Sequence, residues 1–434
     1  MEIVTSVEQD VGLTVSSTIP SSQNDINPRQ QNTWPNGPFV TDGRYIRDTI
    51  GASIKYAGVN WPGHGEVMIP EGLQYQSIAA IVSKIGSSSG GIGLNAIRLT
   101  FAIQMVDEIY ANGGKDITLQ KAFVQGLGQT NGTRVLNQVL AKNPQFTINT
   151  TRLEVFDAVA AECYRQKIYV HIDNHISKGM WCCGTGDGNS WWGDTYFDAQ
   201  KWSRGLAYMA SHAKTWPAFV SLSLRNEPRE PTSNPSLAKS TYNWQTWNTY
   251  MRQGAAAVHA ANPDILIFLS GLNYDTTLTP VVRNQPLSPS QTKFNLADFP
   301  GGPQKKIVLE LHNYETGATS CSSLQNNLYN NGFQSMTSNP GNGINVFPVM
   351  LTEFGFAMDA NTYKGVYATC LANYLPTQTA GWFIWVLVGS YYVREGIQNF
   401  DEAWGLFTRD WTNWRSTGYV NGVLTKMARD TLAR

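Results

Sequence analysis

Short apolar runs, each ending on a polar or aromatic residue and followed by a stretch with helical spacing, recur along most of this chain. Residues 53–60 read as a first core strand, and residues 72–84 follow with a helical pattern. A second strand at 95–101 and a third at 168–175 are separated by an insertion at 102–151, with helical patches at about 117–126 and 133–141, and by a helix at about 152–166. After a helix at about 195–213, the run Leu222-Ser223-Leu224-Arg225 delivers Asn226-Glu227 into Pro228. Proline has no N–H to donate, so a strand ladder stops there and leaves the carboxylate at a well-held end. A helix at about 240–261 and strands at 264–270, 306–312 and 346–353 follow, the last ending on Glu353; a helix at 360–375 and an eighth strand at 381–386 complete the series. Only residues 275–305, dotted with proline, break the alternation where a further helix is expected. Eight strands mostly separated by helices predict an α/β fold: a single (β/α)8 TIM barrel with long βα-loop insertions.

The start of the chain differs in kind. Residues 1–37 are polar, carry Pro20, Pro28 and Pro35 and show no periodicity, so they read as an irregular arm, with the barrel spanning 38–434. Phe39-Val40-Thr41 and Arg44-Tyr45-Ile46 flank Asp42-Gly43, a turn pair that predicts a small hairpin able to plug one end of the barrel.

Charge narrows the function. Lys and Arg number 32 and Asp and Glu 32, with no basic run, which argues against nucleic acid or an anionic membrane as partner. No apolar run reaches the roughly 18 residues of a membrane span. The start lacks the basic-then-apolar pattern of a signal peptide, yet the low charge and Ser/Thr/Asn-rich loops favour a secreted protein whose leader is absent from this chain. Asn131-Gly132-Thr133 and Asn149-Thr150-Thr151 would be glycosylation sites in such a protein. Charged residues are only 15% while aromatics reach 12% with 14 tryptophans, several of them in glycine-rich polar segments. Flat aromatic faces of that kind suit stacking on sugar rings. The five cysteines, Cys163, Cys182, Cys183, Cys321 and Cys370, lack metal-type spacing and fit two disulfides plus one free thiol.

Asn60, Arg98, His175, Asn226 with Glu227, His312 with Tyr314, Glu353 and Trp385 all fall at predicted C-terminal strand ends, the end at which barrel enzymes carry their chemistry. A second possibility stands beside this one. His171, Asp173 and His175 share a strand face by the two-residue period and could open a zinc site, although no third histidine suggests itself.

Arg98 after Ile97, the triplet Asn226-Glu227-Pro228, His312-Asn313-Tyr314 and Thr352-Glu353-Phe354-Gly355 resemble glycoside hydrolase family 5 in kind and order over about residues 39–412. The resemblance implies a retaining β-glycosidase with no cofactor or metal, in which Glu353 is the nucleophile and Glu227 the acid/base. It further implies that Arg98 and Tyr314 hold Glu353, that His312 tunes Glu227, that Asn226 contacts the sugar's 2-hydroxyl, that His175 binds another hydroxyl and that Trp385 forms the floor. Trp61, Trp181 and Trp192, with Trp191, are candidate walls for neighbouring sugars, the alternative being loop packing. Cys182-Cys183 would pin the loop after the third strand, with Cys321 one candidate partner. Residues 389–405 are also similar to the family and are expected at the rim. The insertion at 102–151, the segment at 275–305 and the Trp/Cys-rich loop are larger than an open cleft needs, so a restricted site for chain ends, disaccharide units or aglycone-bearing glycosides is expected. The expected partner is a carbohydrate or glycoside and the expected state a monomer. The competing expectations are a non-catalytic carbohydrate-binding barrel and a zinc hydrolase.

Overall fold

A computed structural model describes residues 34–87 and 90–433; the expected arm at 1–37 lies outside the described residues apart from its last four. Eight parallel strands close into a barrel: β1 (Tyr56–Trp61), β2 (Ala96–Ala102), β3 (Tyr169–Ile176), β4 (Phe219–Ser223), β5 (Leu266–Ser270), β6 (Ile307–His312), β7 (Val349–Glu353) and β8 (Gly381–Ile384). Each pairs with its neighbours in the chain, and β8 closes the ring by pairing in parallel with β1, Gly381 opposite Tyr56 and Ile384 opposite Val59. Every residue of these eight strands is buried. Strands covered on both faces read as apolar runs without clean alternation.

The flanking helices include α1 (Ile78–Ile85), α2 (Ile103–Ala111), α3 (Leu119–Leu127), α4 (Gln129–Lys142), α5 (Arg152–Arg165), α6 (Ala199–His212), α7 (Pro235–Thr241), α8 (Trp244–Ala261), α9 (Cys321–Asn331), α10 (Val366–Tyr374) and α11 (Thr425–Leu432). Most begin where the sequence supplies a cap: Thr151 and Glu154 form a reciprocal capping box on α5, and Asn243 caps α8, breaking the expected 240–261 helix in two. The insertion at 102–151 holds three helices rather than two. The extra one, α2, starts directly off β2 on Ala102, with no capping side chain to announce it. Residues 275–305 contain only the single turn Thr279–Val282 and two short 3-10 turns, as their prolines suggested.

Residues 53–54 are not part of the first barrel strand. They add a third strand to the antiparallel hairpin Val40–Asp42 and Tyr45–Arg47, with Ile54 opposite Ile46. This small sheet covers the N-terminal mouth of the barrel. Lys306 donates to the Phe39 carbonyl at 2.6 Å, Thr379 donates to the Arg44 carbonyl at 2.8 Å, and the Phe39 ring meets Tyr169 edge-on at 5.4 Å. Above that plug the interior changes in character from layer to layer. Tyr56 packs with Phe268 and Phe383; next comes His171, its ring nitrogens each 2.8 Å from the hydroxyls of Ser221 and Ser223; higher still lie Arg98, Asp173 and Glu310.

Beyond β8, a hairpin of β9 (Ser390–Arg394) and β10 (Ile397–Asp401) stands over the C-terminal face. The insertion braces it from outside, through an edge-on contact of Phe123 with Tyr392 and a bond from Gln398 to the Leu127 carbonyl at 3.0 Å. The cysteines pair as Cys182–Cys183 and Cys321–Cys370, with Cys163 buried and free. Cys321 therefore ties α9 to α10 and is not the partner of the Trp/Cys-rich loop.

Candidate active site

Two glutamates face each other over the C-terminal end of the barrel. Glu353 is the last residue of β7, and the β6–β7 pairing shifts register between Leu351 and Glu353, so that Glu353 comes to lie opposite His312. Glu227 sits four residues past the end of β4, on backbone with φ of 46°. Such a left-handed conformation is strained for a residue other than glycine and is held only when its surroundings fix it. Here Arg229 does so: it donates to the Glu227 carbonyl at 3.1 Å, to the Gly184 carbonyl at 3.0 Å and pairs with Asp187 at 2.6 Å, clamping the β4 end to the Trp/Cys-rich loop.

An oxygen of Glu227, a ring nitrogen of His312 and an oxygen of Glu353 all lie within 4.8 Å of one another. His312 Nδ1 is 2.9 Å from Glu227 Oε1 and 3.6 Å from Glu353 Oε2. Arg98, fully buried, is the hub beneath. It donates to Glu353 Oε1 at 2.6 Å, to Asn60 Oδ1 at 2.8 Å and to Asn226 Oδ1 at 2.9 Å, and lies 3.0 Å from Asp173 Oδ1. Tyr314 donates to the other oxygen of Glu353 at 2.9 Å.

The two carboxyls differ electrically. Burial pushes Glu227 up to about 7 against the pull of Arg229 and Arg98, with Asp173 adding to the rise. Burial also lifts Glu353 above the ordinary range, against the pull of Arg98, and it alone receives a direct guanidinium bond. His312 is driven down to about 4, chiefly by burial, and is neutral at physiological pH. Burial alone would lower Arg98, but Asp173, Glu353 and Glu310 outweigh it and hold the guanidinium charged. One acid that keeps its proton near neutrality beside one that takes a direct guanidinium bond is the pairing that acid-assisted displacement needs.

A cavity of about 410 Å³ opens above the pair. Trp385 and Trp181 line it, as do His175, Asn226 and Tyr314. His175 bonds through Nδ1 to Asp173 at 2.7 Å and lies parallel to Trp385 with ring centroids 5.3 Å apart. Trp61 and Trp192 do not reach the cavity and are corrected from candidate sugar walls to packing residues. Trp61 is fully buried and donates its indole N–H to the Glu71 carbonyl at 3.0 Å; Trp192 stacks on Tyr250 of α8 at 4.9 Å. Trp191 is likewise buried, bonded to Thr241. Of the three enlarged segments, only the Trp/Cys-rich loop lines the cavity; the other two stand outside it.

Sequence reasoning assigned no individual roles to Arg394, Glu402 and Trp404, which complete the rim from the β9–β10 hairpin and the turn after it. Arg394 lies over the Trp181 ring at 3.5 Å and pairs with Glu402 at 2.6 Å. The signal was the 389–405 stretch itself, which resembled the family without indicating which side chains face inward. The zinc reading fails on its donors: both ring nitrogens of His171 are taken by Ser221 and Ser223, a layer below the cavity.

Residues 92–390 match the family model described as cellulase (glycosyl hydrolase family 5). The chain is 32% identical over 395 residues to a glycosyl hydrolase 5 family protein of Chamaecyparis obtusa, covering 88% of this chain and 65% of that one. It is 27% identical over 237 residues to the major extracellular endoglucanase of Xanthomonas campestris pv. campestris, covering 54% and 40% respectively. It thus spans less than two thirds of the length of these relatives. In fold it is similar to the catalytic domain of the Xanthomonas endoglucanase, with a TM-score of 0.63 at 19% identity over 91% of this chain and 100% of that one. An endocellulase of Pyrococcus horikoshii solved with cellotetraose gives 0.65 at 17% identity over 92% and 100%.

Proposed function

The chain belongs to the cellulase family of glycosyl hydrolases, family 5, and from that premise we propose that it hydrolyses β-glycosidic bonds with retention, Glu353 acting as nucleophile and Glu227 as acid and then base. The observation that carries the reading is the close approach of the two carboxyls, with oxygens within 4.8 Å. That spacing fits direct attack by one of them, whereas inversion needs room for a water and a gap of roughly 6.5–9.5 Å.

In the first step Glu353 attacks the anomeric carbon while Glu227 gives its proton to the leaving oxygen. Ester formation removes the charge on Glu353, which frees Glu227 to lose its proton, and it then takes one from the water that cleaves the ester. Arg98 and Tyr314 keep Glu353 aimed before attack. Asn226 meets the 2-hydroxyl of the reacting sugar, His175 another hydroxyl, and Trp385 lies under the ring. The cavity, about 410 Å³, is near the lower end of the roughly 300–1,000 Å³ of small-ligand sites. Its size favours a β-glucan or β-mannan chain end, or a β-glucoside or diglycoside, over a long polysaccharide lying in a groove. The protein acts as a monomer outside the cell, a setting in keeping with its disulfides, with the extracellular relative and with the exposed sequon at Asn149.

Mass-spectrometric product analysis over β-glucans, β-mannans and aryl β-glycosides tests this. Wild type is expected to release sugars, Glu353→Ala to release none, and Glu227→Ala to retain turnover only on substrates with very good leaving groups. Full activity in both variants would remove the assignment.

A further inference from the structure

The loop after β3 places a bond between neighbouring cysteines inside the cavity. Cys182 and Cys183 are disulfide-linked, and both line the space above the two glutamates. Asn226 is held between this bond and the hub beneath. Its Oδ1 accepts from Arg98 at 2.9 Å, so its Nδ2 must point the other way, where it lies 3.4 Å from Cys183 Sγ and 3.8 Å from Cys182 Sγ. A ring nitrogen of His175 is within 4.8 Å of both sulfurs. The disulfide thus lies against both Asn226 and His175, in the same cavity lining as Trp385. Two bonded sulfurs make an uncharged, polarizable surface that accepts hydrogen bonds only weakly. Asn226 Nδ2 donates to both sulfurs, and acceptors this weak hold the amide in place yet yield it to a better acceptor such as a hydroxyl.

We infer that the Cys182–Cys183 disulfide is a positioning wall for the reacting sugar's 2-position: it fixes Asn226 Nδ2 so that the amide engages the 2-hydroxyl. This rests on the proposed glycosidase reading and on the role given there to Asn226. Reduced to two thiols, the pair is no longer held at bonding distance, and Asn226 loses the surface that confines it.

The test compares kcat/KM for the aryl β-glycoside that wild type cleaves best with that for its 2-deoxy counterpart, in wild type and in Cys182→Ala/Cys183→Ala. If the wall acts through the 2-hydroxyl, the ratio falls about tenfold in the variant, the rate effect of one lost hydrogen bond, because the 2-deoxy substrate has nothing to lose. A merely structural role lowers both rates together and leaves the ratio unchanged, which would overturn the inference. Should the double variant not fold, the same ratio is read in Cys321→Ser/Cys370→Ser before and after treatment with dithiothreitol. The dithiol passes two electrons and two protons to Cys182 and Cys183 and is itself oxidised to its cyclic disulfide. A ratio that drops on reduction and recovers on reoxidation supports the wall, and an unmoved ratio removes it. Wild type that cleaves no glycoside overturns the functional reading together with this inference; wild type that cleaves, with an unmoved ratio, overturns the inference alone.

Discussion

Tyr314 and Arg98 divide the two oxygens of Glu353 between them, and each bond is to a charge in a site from which bulk water is largely excluded. A hydrogen bond to a charged group contributes about 1.5–3 kcal/mol, so Tyr314→Phe is expected to lower kcat by roughly 10- to 100-fold with little change in folding. Steady-state kinetics beside a thermal melt checks it, and an unchanged kcat would show that the bond does not serve catalysis. Titration gives a second handle. In the proposed mechanism Glu227 carries its proton for the first step, and burial sets its pKa at about 7, so on that reading activity declines as pH rises through about 7. The same mechanism needs Glu353 as the carboxylate, so activity also declines as pH falls towards its pKa, which burial raises above the ordinary carboxylate range. The kcat/KM profile is therefore bell-shaped, and in Glu227→Ala on an activated aryl glycoside the alkaline limb should vanish while the acid limb stays. Both glutamates stood out in the sequence as acids close behind apolar runs, although β4 stops at Ser223, four residues before Glu227, and not at Pro228 as the proline suggested. The fates of Trp181 and Trp192 were not. They lie in one loop, and what separates them is Tyr250, a residue far along the chain whose ring covers Trp192 and leaves Trp181 to the cavity.

The barrel strands were readable for a reason that also limits reading: full burial yields apolar runs, and such runs fix existence better than register. The turn of Glu353 at the end of β7 depends on a register shift against β6, and nothing local to β7 announces it. Helix α2 escaped because it begins without a cap, and the cysteine pairing could not be derived because pairing follows distance in space. Cys321–Cys370 closes a separation of 49 residues between α9 and α10. Chain-entropy reasoning gives a loop of that size about 4 kcal/mol. Cys321→Ser/Cys370→Ser should accordingly lose about 4 kcal/mol in urea unfolding under non-reducing conditions, with kcat at 25 °C intact because neither residue lines the cavity. A loss of kcat at full stability would contradict this.

Across the whole molecule, the barrel interior holds carboxyls that the unfolded chain would ionise more readily. Glu310, bonded to Ser223 at 2.9 Å, is raised by burial to about 7 from an ordinary 4.5. The folded state therefore holds a proton that the unfolded chain has released. The stabilisation is fully present below about 4.5 and is lost as pH rises through about 7. Glu310→Gln keeps a neutral partner for Ser223 and removes this titration. Its unfolding midpoint relative to wild type should thus rise steadily between about pH 5 and about pH 8, and parallel pH dependences would exclude Glu310 as a source. The seam between β8 and β1 has a consequence for synthesis. The strand that completes the ring, Gly381–Ile384, is made more than three hundred residues after its partner Tyr56–Trp61. Until it leaves the ribosome, β1 and β7 stand as bare, apolar sheet edges, the kind of surface on which nascent chains associate with one another. Biogenesis of this protein is therefore a wait for its eighth strand, and its production in cells will be governed by how well the open sheet is shielded during that wait.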